Sequence, residues 1–457
     1  MIKLDERIDE LKDDMIRDFQ SLLRMRSVYE GKSEEGKPFG PEIYECLQEA
    51  LRMGERLGLK SDNVDGYAGV LSAGEGEKSI GVLCHLDVVP EGSGWDFDPY
   101  GGEISGGKIY GRGALDDKGP AIAAMYALKA LVDCGVPLKK RVEIILGCDE
   151  ESGMRCLEYY KKHREIPEMS FSPDGEFPVT NSEKSISTSV WRCEYESGIK
   201  FKSGTVHNAV PGDAVALVPY IKPDKIEALL DKVEELSGCK LKVEAEGEGS
   251  KITLIGRTAH ASLPEEGINA LQGMLLLLDM LPLKEKDAKA VSGLAKLLGM
   301  DYYGQNFGLD LEDDSGRLTL NAGIMDWDEK GYCITYDLRI PISLKKEQVK
   351  GALSEHMSAI GAQCVEFGFS QGFCIPDDSP LVQTLLRVFN ERSGLDLKPK
   401  HIGGGTYARR LPNAVSFGPE GYMSESNAHV ANEHMSIEQL IFNCKVMADA
   451  MIALVAL

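Results

Sequence analysis

Two apolar runs that stop abruptly at ionisable residues constrain this chain more than any other feature. Residues 79–84 (SIGVLC) lead straight into His85-Leu86-Asp87, and residues 141–147 (RVEIILG) lead into Cys148-Asp149-Glu150-Glu151. Such runs suit strands of a sheet covered on both faces, as parallel sheets are. Residues 68–72 read as a further strand and about 119–131 as a helix. Leu4, Ile8, Leu11, Met15, Phe19, Leu22 and Leu23 recur at helical spacing in the opening segment, and 41–57 reads as a second helix ended by Gly58. Strands alternating with helices predict an α/β unit with a mostly parallel central sheet.

The middle of the chain has another texture. Strand-like runs at 251–256 (KITLIG) and 332–340 (YCITYDLRI) are interleaved with helical stretches at 269–281 and 345–360. Gly/Pro turns at 173–178 and 375–380 bracket this region, and after Pro380 a helix (381–392) and a Gly-rich loop return to the first texture. The expected organisation is a catalytic α/β domain in two parts, 1–182 and 379–457, interrupted by a large inserted α+β lid domain at 183–378.

The 457 residues carry a net charge of −22, which argues against nucleic acid or an anionic membrane as a partner. The most apolar stretch, 274–283, is broken by Asp279 and Pro282, whereas a membrane span needs about 20 apolar residues. The acidic start MIKLDERIDELKDD does not resemble a secretory leader. Eleven cysteines without regular spacing do not form a disulfide framework, so a reducing cytoplasm is expected.

Five polar segments carry the chemistry. In an extended chain His85 and Asp87 share a face, so a carboxylate can orient an imidazole that binds metal. Asp116-Asp117 lies in a Gly-rich turn, GRGALDDKG, where an N-cap role is an equal alternative. Asp149-Glu150-Glu151 needs a positive neighbour if buried, and is a solvated loop otherwise. Asp174 sits in SPDGE, which also reads as a plain turn, and His429 in NAHVANE, an ordinary loop by composition. Loops at the carboxyl ends of parallel strands converge on one crevice, where two His and several carboxylates suit paired zinc ions.

The five segments, in this order and at these separations, resemble the di-zinc peptidases and deacylases that include carboxypeptidase G, acetylornithine deacetylase and aminoacylase. The similarity is greatest to the PepV-type dipeptidases, through the long insertion, SPDGEFPV and GGGTYAR. The resemblance implies that Asp116 bridges two metal ions, one also held by His85 and Asp174, the other by Glu151 and His429. It makes Asp87 the group that orients His85, and Glu150 the general base and acid that takes a proton from the bridging water, leaving a hydroxide between the metals. Three ligand carboxylates and that hydroxide neutralise two Zn²⁺, which leaves Glu150 free to take a proton; Mn²⁺ or Co²⁺ are alternatives. In the insertion the resemblance makes His260 the oxyanion donor and Asn208 and Arg339 substrate ligands. Capping, turn and strand-end roles are the alternatives for these three. Gly404, Thr406 and Arg409 of the Gly-rich loop are expected to cradle a substrate carboxylate.

An insertion of about 190 residues exceeds one ferredoxin-like unit of roughly 100. It resembles the doubled lid that completes the site within one chain, so a monomer is expected. The implied activity is hydrolysis of dipeptides with a free amino terminus. The alternatives are an N-acyl amino acid deacylase with the same metals and a non-catalytic binding protein on the same fold.

Overall fold

A computed structural model describes residues 2–425 and 427–457. The chain divides into two compact units, one of Met1–Ser182, Ile375–Lys400 and Gly405–Leu457, the other of Glu183–Cys374 and His401–Gly404.

In the first unit, Ser79–His85 and Arg141–Gly147 form buried strands that pair in parallel, with His85 opposite Gly147. Met169–Ser172 lies parallel on the other side of Ser79–His85, and Ala414–Ser416 parallel beyond that. The centre of the sheet is therefore parallel, and the strands that precede the ionisable segments all end at the same edge. The outer side departs from the expected pattern. Lys60–Val64 and Ala68–Ala73 form an antiparallel hairpin, joined antiparallel to Arg141–Gly147. Asp65 and Gly66, at φ 50° and 76°, make the tight turn, and Tyr67 N–H donates to the Val64 carbonyl at 2.9 Å. Val64 pairs with Ala68 across this three-residue connection, and the two successive left-handed residues match the right-handed twist of the flanking strands.

The helix Lys118–Asp133 is buried from Lys118 to Leu128 and packs against the C-terminal helix Ile437–Val455. The opening segment forms two helices, Ile2–Glu10 and Lys12–Leu23, rather than one. Its apolar face is continuous across the break, for Leu4, Ile8, Leu11, Met15, Phe19, Leu22 and Leu23 are all buried.

The second unit holds an eight-stranded antiparallel sheet. Its two halves meet where Lys200–Ser203 pairs with Thr319–Asp328, Phe201 opposite Trp327. The strands Gly249–Ile255 and Gly331–Ile340 and the helices Ala270–Asp279 and Lys346–Ala359 correspond to the sequence reading. Asn269 caps its helix by accepting from Gln272 N–H at 3.1 Å. This unit ends at Cys374 rather than 378, and it recovers His401–Gly404 from the Gly-rich stretch. Lys184 N–H donates to the Ile402 carbonyl at 3.0 Å and Arg339 to that of Gly403 at 2.8 Å, which ties the stretch there.

Gly147, the last residue before the acidic segment, has no room for a side chain, because an added Cβ would collide with the Tyr407 hydroxyl. Gly147→Ala should lower the unfolding free energy by about 1–3 kcal/mol in urea titrations, the usual cost of overpacking.

Candidate metal centre

The parallel strands deliver the ionisable side chains to one place. His85 is the last residue of its strand, Glu150 and Glu151 follow Arg141–Gly147, and Asp174 follows Met169–Ser172. Asp116 enters from the turn before the helix Lys118–Asp133, across a cis peptide to Asp117. His429 comes from the loop before the C-terminal helix, in left-handed conformation at φ 63°.

The two carboxylate oxygens of Asp116 face different imidazoles. His85 Nε2 lies 2.8 Å from Oδ1, and His429 Nε2 lies 2.9 Å from Oδ2. Asp174 Oδ2 stands 3.9 Å from His85 Nε2, and Glu151 Oε1 stands 3.1 Å from His429 Nε2. His85, Asp116 and Asp174 thus form one cluster of donor atoms, and Asp116, Glu151 and His429 a second, joined through Asp116.

Backbone donors hold this negative charge in place. The Asp87 carboxylate accepts from Glu150 N–H at 3.0 Å and Glu151 N–H at 3.1 Å. Asp87 meets His85 mainly through its carbonyl oxygen, 2.9 Å from Nδ1, with the carboxylate at 3.7 Å. Asp117 sits at the N-cap position of its helix but does not cap it; its carboxylate accepts from His85 N–H at 3.0 Å. Asp149 is buried and anchors the acidic segment to Arg155, with Nη2 2.6 Å from Oδ1.

Burial raises the Asp87 carboxyl to about 7, although the neighbouring imidazole opposes the rise. Burial and then the Asp116 charge raise Asp174 to about 8. Burial, reinforced by Asp174, pushes Glu150 well above the usual carboxylate range, and its Oε1 is buried with no hydrogen-bond partner. Burial works against protonation of His85, yet hydrogen bonding to Asp116 and the surrounding carboxylates raise it well above the ordinary value. Hydrogen bonds to Asp116 and Glu151 lift His429 to about 11. Asp116 itself is depressed, since the hydrogen bonds from His429 and His85 outweigh its burial. The raised carboxyls and raised imidazoles alike call for positive charge among the carboxylates. Imidazole and carboxylate donors around a shared bridging group fit paired divalent cations, and a buried, unpartnered Glu150 oxygen fits a proton carrier beside them.

A second cluster lies within the inserted unit. Asp337, fully buried, receives Arg339 Nε at 2.7 Å on Oδ1 and faces His207 Nδ1 at 3.0 Å on Oδ2. Asn208 precedes the bridge between Ala209 and His260, and its carbonyl accepts from Ala261 N–H at 2.9 Å. His260 Nδ1 pairs with the Ser262 hydroxyl at 2.6 Å. Three residues named from the sequence, Asn208, His260 and Arg339, therefore belong to this unit. Gly404 belongs there too, whereas Thr406 and Arg409 belong to the first unit. Thr406 is buried, its hydroxyl 2.8 Å from that of Ser416, and its oxygen accepts from Ala408 N–H at 3.1 Å. Arg409 folds back over Gly405.

The profile of peptidase family M20/M25/M40 matches residues 81–453. The chain belongs to that family. It is 37% identical over 452 residues to "Putative dipeptidase YtjP" of Bacillus subtilis (strain 168), covering 96% of both chains. It is 33% identical over 458 residues to the Beta-Ala-Xaa dipeptidase of Lactobacillus delbrueckii subsp. lactis, covering 96% of this chain and 95% of that one. The fold is shared with human carnosine dipeptidase 1 at TM-score 0.58 and 16% identity, covering 100% of this chain and 99% of that one. Dug1p of Saccharomyces cerevisiae gives TM-score 0.59 at 13% identity, covering 100% and 98%. The family resemblance and the fold class read from the sequence are thereby borne out. Among the described residues no helix is long and apolar enough to cross a membrane.

The sequence alone assigns no role to Asp337 or His207, and for Asp117 and Asp149 it offers only a cap or a solvated loop. Asp117 and Asp149 adjoin residues that it named, and burial distinguishes them, which no local pattern reveals. Asp337→Ala would strand the buried Arg339 guanidinium and should cost about 3–5 kcal/mol in urea unfolding. Asp337→Ala combined with Arg339→Met should recover most of that loss.

Proposed function

We propose that this M20 family peptidase is a metal-dependent dipeptidase acting on dipeptides with a free amino terminus. The observation that carries the reading is Asp116, whose two oxygens face His85 and His429 within paired donor clusters. Similarity over 95% or more of each chain to proteins named as dipeptidases supports the substrate class.

His85, Asp116 and Asp174 would hold one Zn²⁺, and Asp116, Glu151 and His429 a second, with Mn²⁺ or Co²⁺ as substitutes. Ions bound there acidify water and polarise the scissile carbonyl. Glu150 takes the proton from the attacking water and delivers it to the leaving amine. Burial next to Asp174 supports that role, since it makes Glu150 a stronger proton acceptor than an ordinary carboxylate. Asp87 holds Glu150 and Glu151 at their backbone nitrogens and fixes the His85 ring. His260 donates to the developing oxyanion, and Asn208, Arg339, Gly404, Thr406 and Arg409 bind the peptide's polar groups. The chain works as a monomer in the cytoplasm, and its eleven free cysteines agree with a reducing compartment.

The test is an assay of chelator-treated protein with zinc or manganese restored, against dipeptides, a tripeptide and N-acetyl amino acids. Cleavage should depend on metal and be confined to dipeptides, and cleavage of N-acetyl amino acids alone would assign a deacylase instead. Glu150→Ala should lower kcat by about a hundredfold to ten-thousandfold, the range of general acid–base catalysis, while metal content stays unchanged.

A further inference from the structure

A buried ion pair lies behind the metal centre and touches none of its metal-facing atoms. Arg112 and Glu433 are 2% and 0% exposed, and Arg112 Nη1 lies 2.6 Å from Glu433 Oε2. The other carboxylate oxygen of Glu433 accepts from Leu115 N–H at 2.9 Å and from Asp116 N–H at 3.2 Å. One glutamate therefore fixes the backbone of the residue shared by both donor clusters.

The arginine does the same for two other segments. Its Nη1 donates to the Val430 carbonyl at 3.3 Å, one residue beyond His429. Its Nη2 reaches the Glu91 carbonyl at 3.2 Å and that of Pro90 at 3.4 Å, just past Asp87. The guanidinium also lies over the Trp95 ring, 5.3 Å from its centroid. Three segments far apart in sequence, carrying Asp87, Asp116 and His429, are thus fastened to one charge pair.

The two clusters depend on this pair unequally. His85 and Asp174 are held by adjacent parallel strands, which need no help from Arg112. His429 sits on a loop without regular structure, its side chain 51% exposed. Besides Arg112 and Glu433, Asn432 anchors that loop, paired with Asp96 at 2.9 Å and 2.8 Å.

We propose that Arg112 and Glu433 are positioning residues that hold His429 against Asp116, so that this buried pair sets the affinity of the Asp116–Glu151–His429 cluster selectively. The inference rests on the proposed metal centre. Charge and geometry contribute separately: Glu433→Gln keeps an acceptor for Asp116 N–H but removes the ion pair. Arg112→Met removes the pair and every carbonyl contact, and Arg112→Lys keeps the charge without the fork that spans three carbonyls.

The experiment is zinc titration of the full chain by calorimetry, with bound metal counted after equilibration at fixed free zinc. Wild-type protein should bind two ions. Glu433→Gln and Arg112→Met should bind one ion about 10–100-fold more weakly, the usual effect of losing an outer partner of a metal ligand, with a clearly smaller change at the other, which shares Asp116 but keeps its strand-held His85 and Asp174. Arg112→Lys should fall between, and the Co²⁺ absorption of the variants should match that of His429→Ala. Circular dichroism establishes that each variant is folded, and a variant that fails to fold is replaced in the comparison by Arg112→Lys. Two ions bound with wild-type affinity in the variants, or both sites weakened equally, would overturn the role of the pair. Wild-type protein that binds no zinc would overturn the metal centre itself, a result that the wild-type titration alone reveals.

Discussion

Asp116 stands between two imidazoles, with Asp174 on one side and Glu151 on the other, a place set by the parallel sheet that delivers its neighbours and by the Glu433 carboxylate that accepts from its N–H. Asp116, Asp174, Glu151 and Glu150 lie close enough to repel one another, and burial raises the cost of each charge. The parallel strands Ser79–His85, Arg141–Gly147 and Met169–Ser172 fix three of the supporting segments at their carboxyl ends. Parallel pairing makes that convergence unavoidable once the residues are in the sequence, since every strand ends at the same edge. The hydrophobic core of the first unit thus supplies the geometry, and the ionisable residues exploit it.

What neutralises the repulsion is shared among several kinds of partner. Backbone N–H groups serve Asp87, Asp117 and Glu433, Arg155 serves Asp149, and Arg112 serves Glu433. The side chains left facing inward, Asp116, Asp174, Glu151 and Glu150, are those with the fewest such donors. In the proposed centre, carboxylates that meet backbone or arginine donors have structural work, and those that meet only imidazoles or no donor have chemical work. Glu150, with a buried oxygen that meets no donor, lies at the far end of that division.

Much of this could be read from the residues because the informative segments are local. An apolar run that stops at His-Leu-Asp or Asp-Glu-Glu marks both a buried strand and what its end carries. The hairpin Lys60–Val64/Ala68–Ala73 was harder, since KSDNV is polar and only the Asp65-Gly66 pair signals its turn. The continuous sheet of the second unit was not readable, because the pairing of Phe201 with Trp327 depends on contacts between distant strands. The same holds for Arg112 and Glu433, which lie 321 positions apart, one in a Gly-rich turn and the other in a loop near the C-terminus. Contacts across that distance are set by tertiary packing rather than by local pattern.

The central claim is that two divalent ions are held on either side of one carboxylate, and anomalous X-ray diffraction at the zinc absorption edge tests it most directly. Crystals grown with zinc should show two anomalous peaks, one shared by Asp116 with His85 and Asp174, the other shared by Asp116 with Glu151 and His429. A single peak, or peaks that do not touch Asp116, would contradict the account.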